Sequence, residues 1–238
     1  KAFEPGNPNI TSMESMLAAR AHDHAISVEQ AQRSLDAHVA RYGEKHPEVA
    51  RALTRLAAAL IGQRELSRAV VTQERAVKLM REICDRHGIL MISDEVVTGF
   101  GRTGAWSGAR LWGVKPDMMT VAKAITSGYF PLGATLINDK IAETFEADET
   151  SFGSIGHGYT YSGHPVACAV AMKTLEIYER ENIVGQIQKK SPAFVARLEG
   201  LAQGGGGRSP GRAGVAGDGQ RPDGYVSPVR RFVGGAVF

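Results

Sequence analysis

Two short apolar runs, each followed by a charged side chain, constrain this chain more than any other feature. Ile89-Leu90-Met91-Ile92 is entered by Gly88 and followed by Ser93, Asp94 and Glu95. Met118-Met119-Thr120-Val121-Ala122 is followed by Lys123. The first run, entered by glycine, predicts a strand buried on both faces, and the second is an apolar, β-capable run. The interval from Asp94 to Lys123 leaves room for a crossover and a return to a neighbouring strand. Both charges then stand at the carboxyl edge of an open α/β sheet, where ligands bind in such folds.

An isolated acid or lysine at a strand end is ordinarily a solvated surface group. The flanks of Lys123 predict a partly buried place instead. There the ammonium form is disfavoured and the free amine becomes available, which covalent capture of an aldehyde cofactor requires. An aspartate facing a pyridine nitrogen keeps that nitrogen protonated and the ring a better electron sink. Lysine and aspartate are the two protein groups that pyridoxal phosphate chemistry most needs.

A third stretch, Gly156-His157-Gly158-Tyr159-Thr160-Tyr161-Ser162-Gly163-His164-Pro165, leads into a helical pattern over Val166–Arg180. Glycines let backbone N–H groups approach an anion and hydroxyls add donors. With Pro165 suited to a first helical turn, the loop reads as a phosphate site at a helix start. A glycine-rich surface loop accounts for the same residues.

Taken together, ISDEVVTGFGRTG, KPDMMTVAKAITSGYFPLGA and GHGYTYSGHP make residues 77–201 resemble the central and following part of class III pyridoxal-phosphate aminotransferases, in the manner of ω-amino acid and amine–pyruvate transaminases. The resemblance implies an α/β fold of the aspartate-aminotransferase kind: a mostly parallel sheet between helices, here a partial large domain. It implies that Asp94 bonds the pyridinium nitrogen and that Lys123 is the catalytic lysine, bonded to the cofactor aldehyde. Val96 would pack on one ring face. Thr160 would reach the cofactor phosphate across a homodimer interface. The implied cofactor is pyridoxal 5′-phosphate. The implied reaction moves an amino group from an amine or amino acid to an oxo acid such as pyruvate.

The chain before this region reads as helix. Residues 1–12 form an irregular lead and Met13–Tyr42 a helical pattern. Gly43 and Pro47 mark a break. Glu48–Ile61 carries Val49, Leu53, Leu56 and Leu60 on one stripe, and Leu66–Arg86 forms a further helix. Leu53, Leu56, Ala57, Leu60, Ala69 and Ala76 fall at tetratricopeptide-repeat spacings, and YGEKHPEVARALTRLAAAL resembles the kinesin-light-chain variety of that repeat. A helical hairpin with an alanine-rich seam explains the same pattern, and one repeat falls short of the roughly three that an independent solenoid needs.

Beyond the motifs, Gly99–Gly104 predicts a turn-rich loop. No helix follows it directly, so it is not a dinucleotide fingerprint. Gly133–Ile137 predicts a strand. Asp139 predicts the cap of a helix over Lys140–Phe145, and Asp148–Thr150 a surface turn. Asn182 and Gly185 mark the end of the helix begun at Pro165, and Gln186–Leu201 a further helix. The expected organisation is a tetratricopeptide-like helical segment over 1–76, the partial aminotransferase domain over 77–201, and a disordered Gly/Arg/Pro-rich tail over 202–238.

Charge and composition exclude more than they assign. The formal net charge of +3 arises from spread lysines and arginines, with no electrostatic footprint for nucleic acid. No apolar run approaches a membrane span, and the polar start, Lys1–Gly6, shows no signal peptide. Cys84 and Cys168 lie far apart in helical patterns, which predicts buried thiols in a reducing, cytoplasmic compartment and not a disulfide or metal site. His157 and His164 lack a third ligand at metal spacing. No Ser-Gly-rich phosphate cradle or ring-stacking aromatic precedes residue 77, and Arg230 and Arg231 lie in no substrate-gripping context. These gaps predict impaired turnover, with an inactive remnant or a helical protein-binding module as the alternatives.

Overall fold

The computed structural model describes residues 7–20, 23–147 and 158–204. They fall into two compact units, one running to Ile89 and resuming at Pro192, the other spanning Leu90–Ser191.

The first unit is built from α1 (Pro8–Arg20), α2 (His24–Tyr42), α3 (Pro47–Gly62) and α4 (Leu66–His87). Each start has a local cause. Asp23 caps α2 by accepting from the Ile26 amide at 3.2 Å. His46 caps α3, its Nδ1 accepting from the Glu48 amide at 3.2 Å, with Pro47 in the first turn. Gly88, at φ 64, ends α4 in the left-handed conformation that glycine adopts without strain. Leu35, Val49, Leu53, Leu56, Leu60, Leu79 and Ile83 form the core, with small residues such as Ala69 and Ala76 letting the helices approach. The expected hairpin of α3 and α4 is present, and Ala57, Ala69 and Ala76 are buried.

Two expectations need correction here. The irregular lead is shorter than predicted, because α1 already begins at Pro8, where a missing amide costs nothing. The helical pattern over Met13–Tyr42 is two helices, because Asp23 opens a new one. α1 also turns its polar side inward. Thr11, Ser12 and Ser15 are buried, whereas Met13, Met16 and Leu17 are exposed. Its contact with α2 is a seam of hydroxyls: Ser12 Oγ lies 2.8 Å from Ser34 Oγ, Ser15 Oγ donates to the Ser27 carbonyl at 2.8 Å, and Ser34 Oγ donates to the Pro8 carbonyl at 3.0 Å.

In the second unit the order is β1 (Ile92–Asp94), α5 (Gly108–Leu111), β2 (Met118–Val121), a 3₁₀ turn (Lys123–Thr126), β3 (Ala134–Ile137), α6 (Asp139–Ala147), α7 (Pro165–Arg180) and the first half of α8 (Ile183–Gly204). The sheet has the order β1-β2-β3. β1 runs parallel to β2, with Ile92 opposite Met118 and Asp94 opposite Thr120. β3 returns antiparallel, with Ala134 opposite Val121. Val121, Ile125, Leu132, Ala134, Ala167 and Ala171 form the core.

The first apolar run is not a strand buried on both faces. β1 starts only at Ile92, and Ile89, Leu90 and Ile92 are exposed. As the end strand of the sheet, β1 has one strand neighbour among the described residues, and its apolar side chain, Ile92, is left exposed. Asn138, not Asp139, caps α6, its Oδ1 accepting from the Ile141 amide at 3.0 Å. Gly185 lies within α8, because the break falls at Asn182, which takes φ 47. Asp148–Thr150, His157 and the tail from residue 205 lie outside the described residues. No described helix is long and apolar enough to cross a membrane.

Candidate active site

Parallel pairing of β1 with β2 brings the carboxyl ends of the two strands side by side. Asp94 is the last residue of β1, in register with Thr120, and Lys123 follows β2 after Ala122. The sheet therefore places the predicted carboxylate and the predicted amine at one edge. Asp94 is exposed; its Oδ1 accepts from the Val96 amide at 3.0 Å, a turn that fixes the carboxylate and holds half-buried Val96 beside it.

Lys123 departs from expectation in one respect. It is exposed rather than partly buried. The chain leaves the sheet at Ala122 and folds into the 3₁₀ turn, whose next three residues, Ala124, Ile125 and Thr126, are the buried ones. Lys123 itself takes φ 50, a left-handed conformation that a residue with a Cβ rarely adopts.

The neighbouring acid has a different task. Glu95 is 1% exposed. Its Oε1 accepts from Ser93 Oγ at 3.0 Å and from the Ala109 amide at 2.8 Å. Its Oε2 accepts from the Gly108 amide at 2.7 Å and from the Thr98 hydroxyl. Successive side chains of a strand point to opposite faces, so one acid meets solvent and the other is sealed inside. Glu95 thereby ties the Val96–Ser107 loop to the start of α5. Sequence reading gave it no role, although this alternation was a usable signal.

Thr160 is exposed in the turn preceding α7. That turn is closed by Ser162, whose Oγ accepts from the Tyr159 amide at 2.9 Å. His164 caps α7, its Nδ1 accepting from the Ala167 amide at 3.4 Å, and its ring centroid lies 5.2 Å from that of Phe130. The Phe130 carbonyl in turn accepts from the Thr126 hydroxyl at 2.6 Å. A chain of contacts thus links the turn after Lys123 with the turn that carries Thr160. Tyr178 of α7, which the sequence did not single out, bonds to the same 3₁₀ turn. Trp106 and Trp112 are half-buried, and the Trp106 ring lies 6.4 Å from that of Tyr178. Among the described residues, no group of three His, Cys, Asp or Glu side chains is placed to hold a metal ion. Both cysteines are free, and they are half-buried rather than buried as expected.

An accessible carboxylate and an accessible amine at the ends of adjacent parallel strands match the two reactive ends of a pyridine aldehyde, the ring nitrogen and the aldehyde carbon. The ring end of pyridoxal phosphate therefore fits the residues present.

Comparison with known proteins agrees. The profile of the aminotransferase class-III family matches residues 67–206. The chain is 48% identical over 124 residues to a beta-alanine–pyruvate aminotransferase of Pseudomonas aeruginosa, covering 51% of this chain and 28% of the relative. It is 43% identical over 134 residues to an omega-amino acid–pyruvate aminotransferase of Pseudomonas putida, covering 56% of this chain and 30% of the relative. An amine transaminase from an uncultivated Pseudomonas species, solved with pyridoxal phosphate bound, superposes with a TM-score of 0.51 at 40% identity, covering 66% of this chain and 39% of that one. The chain thus spans less than a third of the two curated relatives' lengths.

Proposed function

The chain belongs to the class III aminotransferases, whose cofactor is pyridoxal 5′-phosphate, and we propose on that footing that it takes part in moving an amino group from an amine or amino acid to an oxo acid such as pyruvate. The observation that carries this reading is the placement of Asp94 and Lys123 at the carboxyl edge of two hydrogen-bonded parallel strands. The likeness to beta-alanine–pyruvate and omega-amino acid–pyruvate enzymes supports the substrate class.

When bound, the cofactor supplies an aldehyde and an electron sink. The chain's own residues hold it and move the proton. Asp94, its carboxylate braced by the Val96 amide, would keep a proton on the ring nitrogen. Lys123 would hold the aldehyde end and, as the proton carrier of the site, would move a proton between the substrate carbon and the cofactor carbon. Val96 packs on a ring face. Thr160, presented in a turn at the start of α7, would donate its hydroxyl proton to the cofactor phosphate of a second copy. The helices that precede residue 77 carry no Ser-Gly-rich phosphate cradle, so these residues hold the cofactor less firmly and turnover is impaired, since misplacement alone costs orders of magnitude in rate.

Titrating the purified chain with pyridoxal phosphate, reducing with borohydride and mapping the modified peptide tests the reading. Saturable labelling of Lys123, lost in Lys123→Ala and weakened in Asp94→Asn, is expected; amine donors are then screened against pyruvate. Labelling spread evenly over the lysines would show an idle remnant instead.

A further inference from the structure

We propose that Tyr178 is the positioning residue for Lys123, holding the lysine's turn in its unfavourable conformation from the neighbouring helix. The inference rests on the amino-transfer reading for its chemical meaning and on local geometry for everything else.

The 3₁₀ turn is bounded by two left-handed residues that are not glycine, Lys123 at φ 50 and Ser127 at φ 51. Side chains resist this region of backbone space, so such a turn persists only where its surroundings over-determine it. Some of its bonds are internal: the Ile125 amide donates to the Ala122 carbonyl at 3.2 Å and the Ser127 amide to the Ala124 carbonyl at 3.1 Å. Those bonds travel with the turn and cannot fix it against the rest of the unit. Ile125, fully buried, anchors its underside.

Tyr178 holds the other side. α7 buries Ala167, Ala171, Thr174 and Leu175, a stripe that brings Tyr178 to the turn one helical step later. Its hydroxyl oxygen lies 3.0 Å from the Ala124 carbonyl and 2.7 Å from Ser127 Oγ. A phenol has one proton. It goes to the carbonyl, which can only accept, so Ser127 donates its own proton to the phenol oxygen. One hydroxyl thus grips the residue next to Lys123 and the residue that closes the turn. The Trp106 ring, 6.4 Å away, backs the phenol ring.

The test compares wild type, Tyr178→Phe and Ser127→Ala in the full chain. Pyridoxal phosphate with borohydride is the probe, and labelling of Lys123 is read as a ratio to the exposed reference Lys140 by peptide mapping. Hydrogen exchange of the Ser127 amide is followed without cofactor. Tyr178→Phe is expected to lower the labelling ratio about tenfold, as expected for two lost hydrogen bonds, and to speed Ser127 exchange, with unchanged circular dichroism. Ser127→Ala, at an exposed site and losing one bond, should fall between; it carries the test if the phenylalanine variant does not fold. An unchanged ratio with unchanged exchange overturns the proposal. A wild-type ratio near one sinks the amino-transfer reading instead, and then exchange alone decides: faster in Tyr178→Phe upholds the positioning role, unchanged refutes it.

Discussion

Glu95 and Gly108, thirteen positions apart, meet through a 2.7 Å hydrogen bond in which the amide donates to a carboxylate sealed from solvent. Three further donors, from Ser93, Thr98 and Ala109, complete the set. A carboxylate is the one side chain that can accept from all four, because neither of its oxygens carries a proton. Glu95→Gln turns an NH₂ group toward a donor. It should lower the stability of the 90–191 unit by about 2–4 kcal/mol. Both tryptophans of the chain, Trp106 and Trp112, lie in that unit, so their fluorescence during urea unfolding reads the change directly; a midpoint equal to wild type would refute it.

Gly99 makes a separate demand on the same loop. Its amide donates to the Glu95 carbonyl at 2.9 Å, and a Cβ at this position would lie 2.8 Å from that carbonyl oxygen. Backbone cannot swing aside as a flexible side chain can. Gly99→Ala should therefore cost about 1–3 kcal/mol by the same fluorescence measurement.

At position 123 stability and chemistry should move in opposite directions. Glycine accepts φ 50 without strain whereas alanine does not. Lys123→Gly is expected to be more stable than Lys123→Ala by about 1 kcal/mol, although both abolish labelling by pyridoxal phosphate. Equal urea midpoints would show that the turn is unstrained.

In the helical unit, Leu53 is 1% exposed at the centre of the core. Leu53→Ala should cost about 2–5 kcal/mol, seen as an earlier loss of helical circular dichroism on heating. The exposed Leu17 of α1 is the control, and its replacement by alanine should shift the transition little.

What the sequence revealed and what it hid divide along a physical line. Asp94 and Lys123 could be placed together because each closes an apolar run of its own, and the spacing between the runs allows a parallel return. The buried stripe of α3 was legible for the same reason: periodicity is local. The exposure of Ile92 was not, since it depends on how many strands lie beside β1. Nor was the αL backbone at Lys123, because lysine carries no conformational signature as glycine does. Tyr178 meets Ser127 across 51 positions, and no local pattern announces a contact of that span. The start of a second helix after Asp23 was hidden in a helical pattern that runs on through it, with Asp23 as the single clue.

The serine seam between α1 and α2 also shapes how the helical unit responds to temperature. Apolar burial is what gives unfolding its large heat-capacity change and what weakens in the cold. α1 hides Thr11, Ser12 and Ser15 and leaves Met13, Met16 and Leu17 in solvent, so these six residues add little newly uncovered hydrocarbon when it is released. The hydroxyl bonds that hold it should give its attachment a straighter dependence on temperature than the core has, loosening on warming. The leucine core around Leu53 and Leu60 follows the usual dome, weakening at both extremes. One small bundle should therefore contain two thermometers: a peripheral helix that grips best in the cold and a centre that grips best at moderate temperature.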